Sequence, residues 1–246
     1  MKIKPQTLSF SLHTLLVLFL TGGILMFIAL GINLLVKVEE VNQAATTERS
    51  TNAKQELTGA LQTLTQNATE LGLRFSTWDE VQQQLATPTY YAYWREQRLQ
   101  KVRQLPDYVV DVELYNTDGK ALIQPHTSSL PDPVPAKDSF FTHEETNSFL
   151  YRFTPVYDRI DTHKIIGYTG IKLDVLPALL TLYHFSHTQA DSIKSVSFAE
   201  KLTTIDEILP YLEFEPLPSP QSTNLESLIK WNLLHFSILM AGMVLL

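Results

Sequence analysis

Nine side chains in this sequence have the chemistry to recognise a small molecule: Tyr91, Trp94, Arg95, Arg98, Tyr115, Tyr151, Arg152, Tyr168 and Asp174. An arginine guanidinium grips a carboxylate with two parallel N–H donors, and aromatic faces close around the rest of a ligand. Arg152 stands out because it lies between Tyr151 and Phe153 in a strand-like run. The plainer reading is that a tyrosine on a half-buried strand is core and an arginine a solvated face. If a pocket exists, these residues place it where a sheet face meets the helix that carries Tyr91 to Arg98.

No catalytic signature accompanies them. The chain has no G-x-S-x-G, no H-E-x-x-H and no phosphate loop, so no catalytic residue is assigned. His184 and His187 are three apart, but no third ligand stands near them, and neither a metal nor a cofactor is expected. With no cysteine, disulfides and thiolate sites are excluded.

Two apolar runs bracket these residues. Leu12 to Val36 is long enough to cross a ~30 Å hydrocarbon core. Ile229 to Leu246 holds Lys230, Trp231, Asn232 and His235 before it turns continuously apolar, and reads as a second span cut short. Lys2 and Lys4 favour a cytoplasmic N-terminus, nearly balanced by Lys37, Arg49 and Lys54. All 26 acidic residues lie between the runs; of the 19 basic ones, Lys2, Lys4, Lys37 and Lys230 lie outside the middle domain, leaving 15, so the middle is acidic and repels nucleic acid. The expected layout is a cytoplasmic N-terminus (1–11), a membrane helix (12–36), an extracytoplasmic domain (38–215), a Pro-rich linker (216–228) and a truncated membrane helix (229–246).

Within the domain, Leu57, Leu61, Leu64, Ala68, Leu71, Phe75 and Trp78 alternate spacings of four and three, a heptad seam. This predicts a long helix from Val38 to Ala86, offering a seam for a parallel dimer, a face for its own core, or both. Thr87-Pro88 predicts a cap and restart for a second helix. Val109 to Tyr115 alternates with period two, Asp118-Gly119 turns, and Ala121–Ile123 returns, a predicted hairpin. A Pro-rich loop with a short helix near Phe140–Glu145 follows, then strands at Phe149–Tyr157 and Ile165–Val175, a helix at Leu176–His187, and a fifth strand at Ile193–Phe198. Thr204 and Glu207 predict a capping box.

Two of these strings, VVDVELYNTDGKAL (Val109–Leu122) and YRFTPVYD…KIIGYTGIKLDV (Tyr151–Val175), resemble the extracytoplasmic PAS-like sensor domains called Cache, and in particular the fourth CHASE class. Trp78-Asp79 is similar to a Trp-Asp motif of that class. The resemblance spans roughly Val38–Asp191; the Pro-rich loop and Asp191–Thr223 depart from it. It implies a periplasmic input domain in a bacterial inner membrane, signalling to a cytoplasmic output: a diguanylate cyclase or phosphodiesterase first, a histidine kinase or chemoreceptor next.

The expected fold is therefore α+β: a long N-terminal membrane-linked helix and a PAS-like antiparallel sheet of about five strands, flanked by transmembrane helices. Two functions fit. One is a sensor that binds a small-molecule ligand and signals as a parallel homodimer in the membrane. The other is a bitopic envelope scaffold whose middle domain docks a protein, with a filled sheet face and an exposed apolar patch.

Overall fold

The computed structural model describes residues 11–97, 105–123, 127–218, 231, 234 and 235. The chain divides into two compact units, Met1–Arg49 with Pro218–Leu246, and Ser50–Leu217. Helix α1 spans Leu12–Ser76. Its first part, in the first unit, is long and apolar enough to cross a bilayer, and none of its most apolar stretch is buried. Of the second apolar run, only Trp231, Leu234 and His235 lie within the described residues.

In the second unit α1 turns amphipathic. Leu57, Leu61, Leu64, Ala68, Leu71 and Phe75 are all buried, each 4% exposed or less, in one cluster with Leu114, Leu150, Val156, Ile171 and Leu173 of the sheet. Burying a leucine contributes about 1.5–3 kcal/mol, so this seam is a principal source of the domain's stability. The heptad stripe beyond Leu57 thus packs on the sheet of its own chain and is not left open to a second copy.

The helix does not run unbroken to Ala86. Thr77 and the extended backbone of Trp78 (ψ 135°) break it, and α2 (Asp79–Ala86) restarts with Asp79 and Glu80 in its first turn, where the helix dipole favours acids. Trp78 packs edge-on to Phe75, centroids 5.1 Å apart. Pro88–Tyr90 form a 3-10 turn rather than a capped helix start, with no hydrogen bond from the Thr87 side chain. Helix α3 (Tyr91–Trp94) follows.

The sheet has four antiparallel strands, β1 (Val109–Tyr115), β2 (Ser139–Glu144), β3 (Asn147–Tyr157) and β4 (Ile165–Asp174), in the order β1-β4-β3-β2. Several expectations fail for identifiable reasons. Ala121 makes only an isolated bridge to Tyr115, and β1 takes β4 as its partner instead of a hairpin return. The helix expected near Phe140–Glu145 is strand β2. Phe140 enters the core on one sheet face and Phe141 on the other, and a strand buried on both faces loses its alternation. A two-residue turn then pairs Glu144 with Asn147, with Glu145 at φ 55°, a turn that no glycine announces. Helix α4 is confined to Val175–Leu182. The fifth strand is not in the main sheet: β5 (Lys194–Ser195) pairs with β6 (Leu212–Glu213) in a separate two-stranded sheet. The capping box of Thr204 and Glu207 opens α5 (Ile205–Ile208) as expected.

Close packing on β4 needs glycine. A Cβ on Gly167 would lie 2.4 Å from the Tyr115 carbonyl oxygen and 2.7 Å from Leu85 Cδ2. Overpacking of this kind costs about 1–3 kcal/mol, and a backbone atom in the way puts Gly167→Ala at the upper end. Thermal unfolding of that variant is expected to show a lowered midpoint.

Candidate functional site

The period of two along a strand decides which of the nine candidate residues can meet. Tyr115 of β1, Tyr151 of β3, and Tyr168 and Asp174 of β4 share the sheet face turned away from α1. There Tyr115, Phe140, Tyr151 and Phe153 form a second core cluster with Ala121 and Leu130, packed against Phe149 and Tyr168. Arg152, one residue from Tyr151, projects to the opposite face, where its Cγ lies 3.7 Å from the point a Cβ on Gly72 of α1 would occupy. It cannot clamp a ligand held by the tyrosines. Arg98 lies outside the described residues.

Tyr91, Trp94 and Arg95 hold α3 to the free edge of β1. Four helical residues advance roughly 6 Å and two strand residues roughly 6.6 Å, so Tyr91 and Arg95 match Glu113 and Asp111. The Tyr91 hydroxyl donates to Glu113 Oε1 at 2.6 Å and accepts the Leu114 N–H at 2.9 Å. Arg95 Nε donates to the Val112 carbonyl at 3.0 Å, and its Nη2 pairs with Asp111. Leu122 N–H donates to the Leu114 carbonyl at 2.8 Å. Side chains and loop thus satisfy edge groups that would otherwise recruit another strand. Trp94 Nε1 donates to Glu80 at 2.8 Å. Burial raises the pKa of the Tyr91 hydroxyl, and the neighbouring Glu113 raises it further; burial also raises Glu113, against the pull of Tyr91 and Arg95. All three sequence candidates on this helix are occupied within the fold.

A loop covers the second face. Asp111 anchors it, its Oδ2 accepting the Ser129 N–H at 2.7 Å and the Ser128 hydroxyl at 2.9 Å. The Tyr115 hydroxyl donates to the Pro131 carbonyl at 2.9 Å, and Val134 N–H donates to Gly119 at 2.9 Å. Beneath it, Phe140 and Tyr151 stack at 5.0 Å. Lys172, 3% exposed, lies 4.1 Å from the Phe149 ring centroid and 5.3 Å from that of Tyr151, with its ammonium on Glu144. The Tyr151 hydroxyl donates to the same carboxylate. Burial pushes the pKa of Tyr115 and Tyr151 up, and both stay neutral. Asp174 accepts a hydrogen bond from Asn147 at 3.1 Å, and burial raises its pKa. Most of this face is filled by its own side chains.

A groove remains open on it. It measures about 410 Å³ and runs between the Asp118-Gly119 turn, the loop at Val134–Asp138 and the ends of β3 and β4. Val134, Phe153, Pro155, Ile165 and Tyr168 give it apolar and aromatic walls; Asp118 and Asp138 are its charged lining groups, with no lysine, arginine or histidine among them. Its volume falls in the ~300–1,000 Å³ range of small-molecule sites. Of the nine sequence candidates only Tyr168 lines it. Phe153 and Pro155 were findable, since period two puts them on the face of Tyr151; Asp118 and Asp138 sit in a turn and a loop whose proximity depends on tertiary contacts. The described residues hold no group of three or more metal-ligating side chains.

Glu144 and Lys172 give a test of the filled region. Burial opposes ionisation of Glu144, but the Lys172 ammonium and Tyr151 hydroxyl outweigh it and hold its pKa below the ordinary 4.5. The resulting stability is present above pH 4.5 and is lost as pH falls through the lowered folded value. Glu144→Gln leaves the buried ammonium without a charged partner, a loss of roughly 1–2 kcal/mol because the carboxylate is half exposed. Lys172→Met keeps the apolar stem and is expected to be near neutral at pH 7 while reducing the share of the acid sensitivity that Glu144 contributes, read from denaturant melts at pH 7 and pH 3.5.

No protein-family model, curated protein or solved structure matches this chain.

Proposed function

We propose that this chain is the extracytoplasmic input region of a transmembrane receptor, of the Cache or CHASE kind that its sequence resembles, and that it binds a small organic cation in the groove beside Tyr168. The observation that carries the reading is the asymmetry of the sheet. One face is sealed by α1, while the other is covered by a pinned loop that leaves about 410 Å³ open. An apolar helix long enough to span a bilayer, leading into the helix that seals the first face, supports a role at a membrane. The output, a cyclic-di-GMP enzyme first and a kinase or chemoreceptor next, belongs to the same proposal.

The groove's own chemistry argues for the ligand class. The sequence suggested arginines gripping a carboxylate, but Arg95 is paired with Asp111 and Arg152 is on the other face. What lines the groove is two carboxylates and the rings of Tyr168 and Phe153. Aromatic faces attract a cation by about 0.5–2 kcal/mol each, and an anion would meet only like charge.

The test compares choline with its neutral carbon analogue, 3,3-dimethylbutan-1-ol, by thermal shift and calorimetric titration of the full chain. Choline is expected to raise the midpoint, as any ligand of the native state does, while the neutral analogue does not. Tyr168→Ala and Asp138→Asn are each expected to weaken choline at least fivefold. Equal stabilisation by both compounds would reject the cation. A bitopic docking scaffold predicts no response to small molecules of any charge.

A further inference from the structure

We infer that Glu56 is a latch: its single carboxylate holds the segment by which the chain leaves the domain to the helix by which it enters. Glu56 projects from α1 and is 8% exposed. It accepts the Ser186 N–H, the Ser186 hydroxyl at 2.9 Å and the His187 N–H at 2.9 Å. Thr188 is buried beside it and bridges to Pro216. Leu217 N–H donates to the His187 carbonyl at 2.8 Å, and Gln189 N–H to the Glu215 carbonyl at 2.9 Å. The residues that the carboxylate grips are therefore the ones that grip 215–217, the last residues before the chain leaves this unit.

The grip needs a charge. Three donors converge on one side chain, two of them backbone N–H groups outside any helix or main-sheet strand. An ionised carboxylate can accept all of them at once, and charge-assisted bonds are about twice as strong as neutral ones. A glutamine offers one acceptor oxygen and turns an N–H₂ toward the remaining donors. The opposing wall is also fitted to the helix: the Tyr183 hydroxyl lies 3.6 Å from where a Cβ on Gly59, one turn along α1, would sit. The buried Thr188 hydroxyl also donates to the Ala53 carbonyl of α1, at 3.5 Å, so Glu56 is the charged member of this joint among the described residues.

The latch continues the path from the groove. Tyr168 and Ile165 line the groove on β4, β4 passes without a loop into α4, and α4 ends four residues before Ser186. In the receptor reading, on which this use of the latch rests, a shift of β4 would reach the exit segment through the Glu56 contacts. The contacts themselves do not depend on that reading, nor on the choline result.

Hydrogen–deuterium exchange on the full chain tests it. In Glu56→Gln, the amides of Ser186, His187, Gln189 and Leu217 are expected to exchange at least tenfold faster, while those of β3 and β4 keep their wild-type rates. A second variant approaches from the exit side. Gln189 has φ −69°, which proline can adopt, so Gln189→Pro deletes the N–H to Glu215 without touching Glu56. Coupling is reciprocal, so this variant is expected to speed exchange at Ser186 and His187 at least threefold. Faster exchange confined to the altered residue's own bonds in either variant would overturn the latch. So would equal acceleration across β3 and β4, which would make Glu56 a general stability residue.

Discussion

The apolar seam of α1 on the sheet is the contact on which the rest of this domain depends. Six side chains between Leu57 and Phe75 leave water together, and they do so against strands that are themselves buried on both faces. That face is closed by a continuous helix, and the cavity against its end, lined by Leu71, Phe75 and Trp78, measures only about 120 Å³. The other face is covered by a loop, with Lys201 over the Phe140 ring, and a loop is held by a few polar contacts rather than by a stripe of leucines. Asp111 is one of those contacts, tying Arg95 on one side and Ser128 and Ser129 on the other.

Charge is placed with the same logic. Polar groups at the free edge of β1 and on the second face are paired: Arg95 with Asp111 and Lys172 with Glu144 as ion pairs, Tyr91 with Glu113 by a hydrogen bond. A buried pair of this kind adds little net stability over a hydrophobic replacement but strongly penalises losing one member. It therefore fixes which helix lies on which strand edge more than it strengthens the fold. The acidic groups of the groove, Asp118 and Asp138, have no such partner lining the groove with them, and they are exposed.

How much of this was legible in the sequence follows from the range of the interactions. The α1 seam was readable because a heptad repeat is local, though not whether it served a dimer or the domain's own sheet. The α+β class, β1, β3 and β4, and the Thr204–Glu207 capping box were readable for the same reason. Strand β2 was not, because Phe140 and Phe141 face opposite cores and erase the alternation. The hairpin after Asp118-Gly119 was misread because the turn signal is local while the choice of β4 as partner is not. Among the candidate site residues, Tyr168 lines the groove, but Arg152 was grouped with Tyr151 against the period of its own strand. Arg95 was assigned to a ligand although its partner, Asp111, lay sixteen residues ahead in the sequence with the spacing that a helix beside an edge strand requires.

The central claim is that the seam of α1 is interior while the groove on the opposite face is open. The chain contains no cysteine, so single cysteines placed at Leu61, Leu64, Asp118 and Ile165 can be labelled with a thiol reagent without background. The account predicts fast labelling at 118 and 165 and none at 61 and 64 until denaturant is added. Fast labelling at 61 and 64, or a disulfide-linked dimer through position 64, would contradict it.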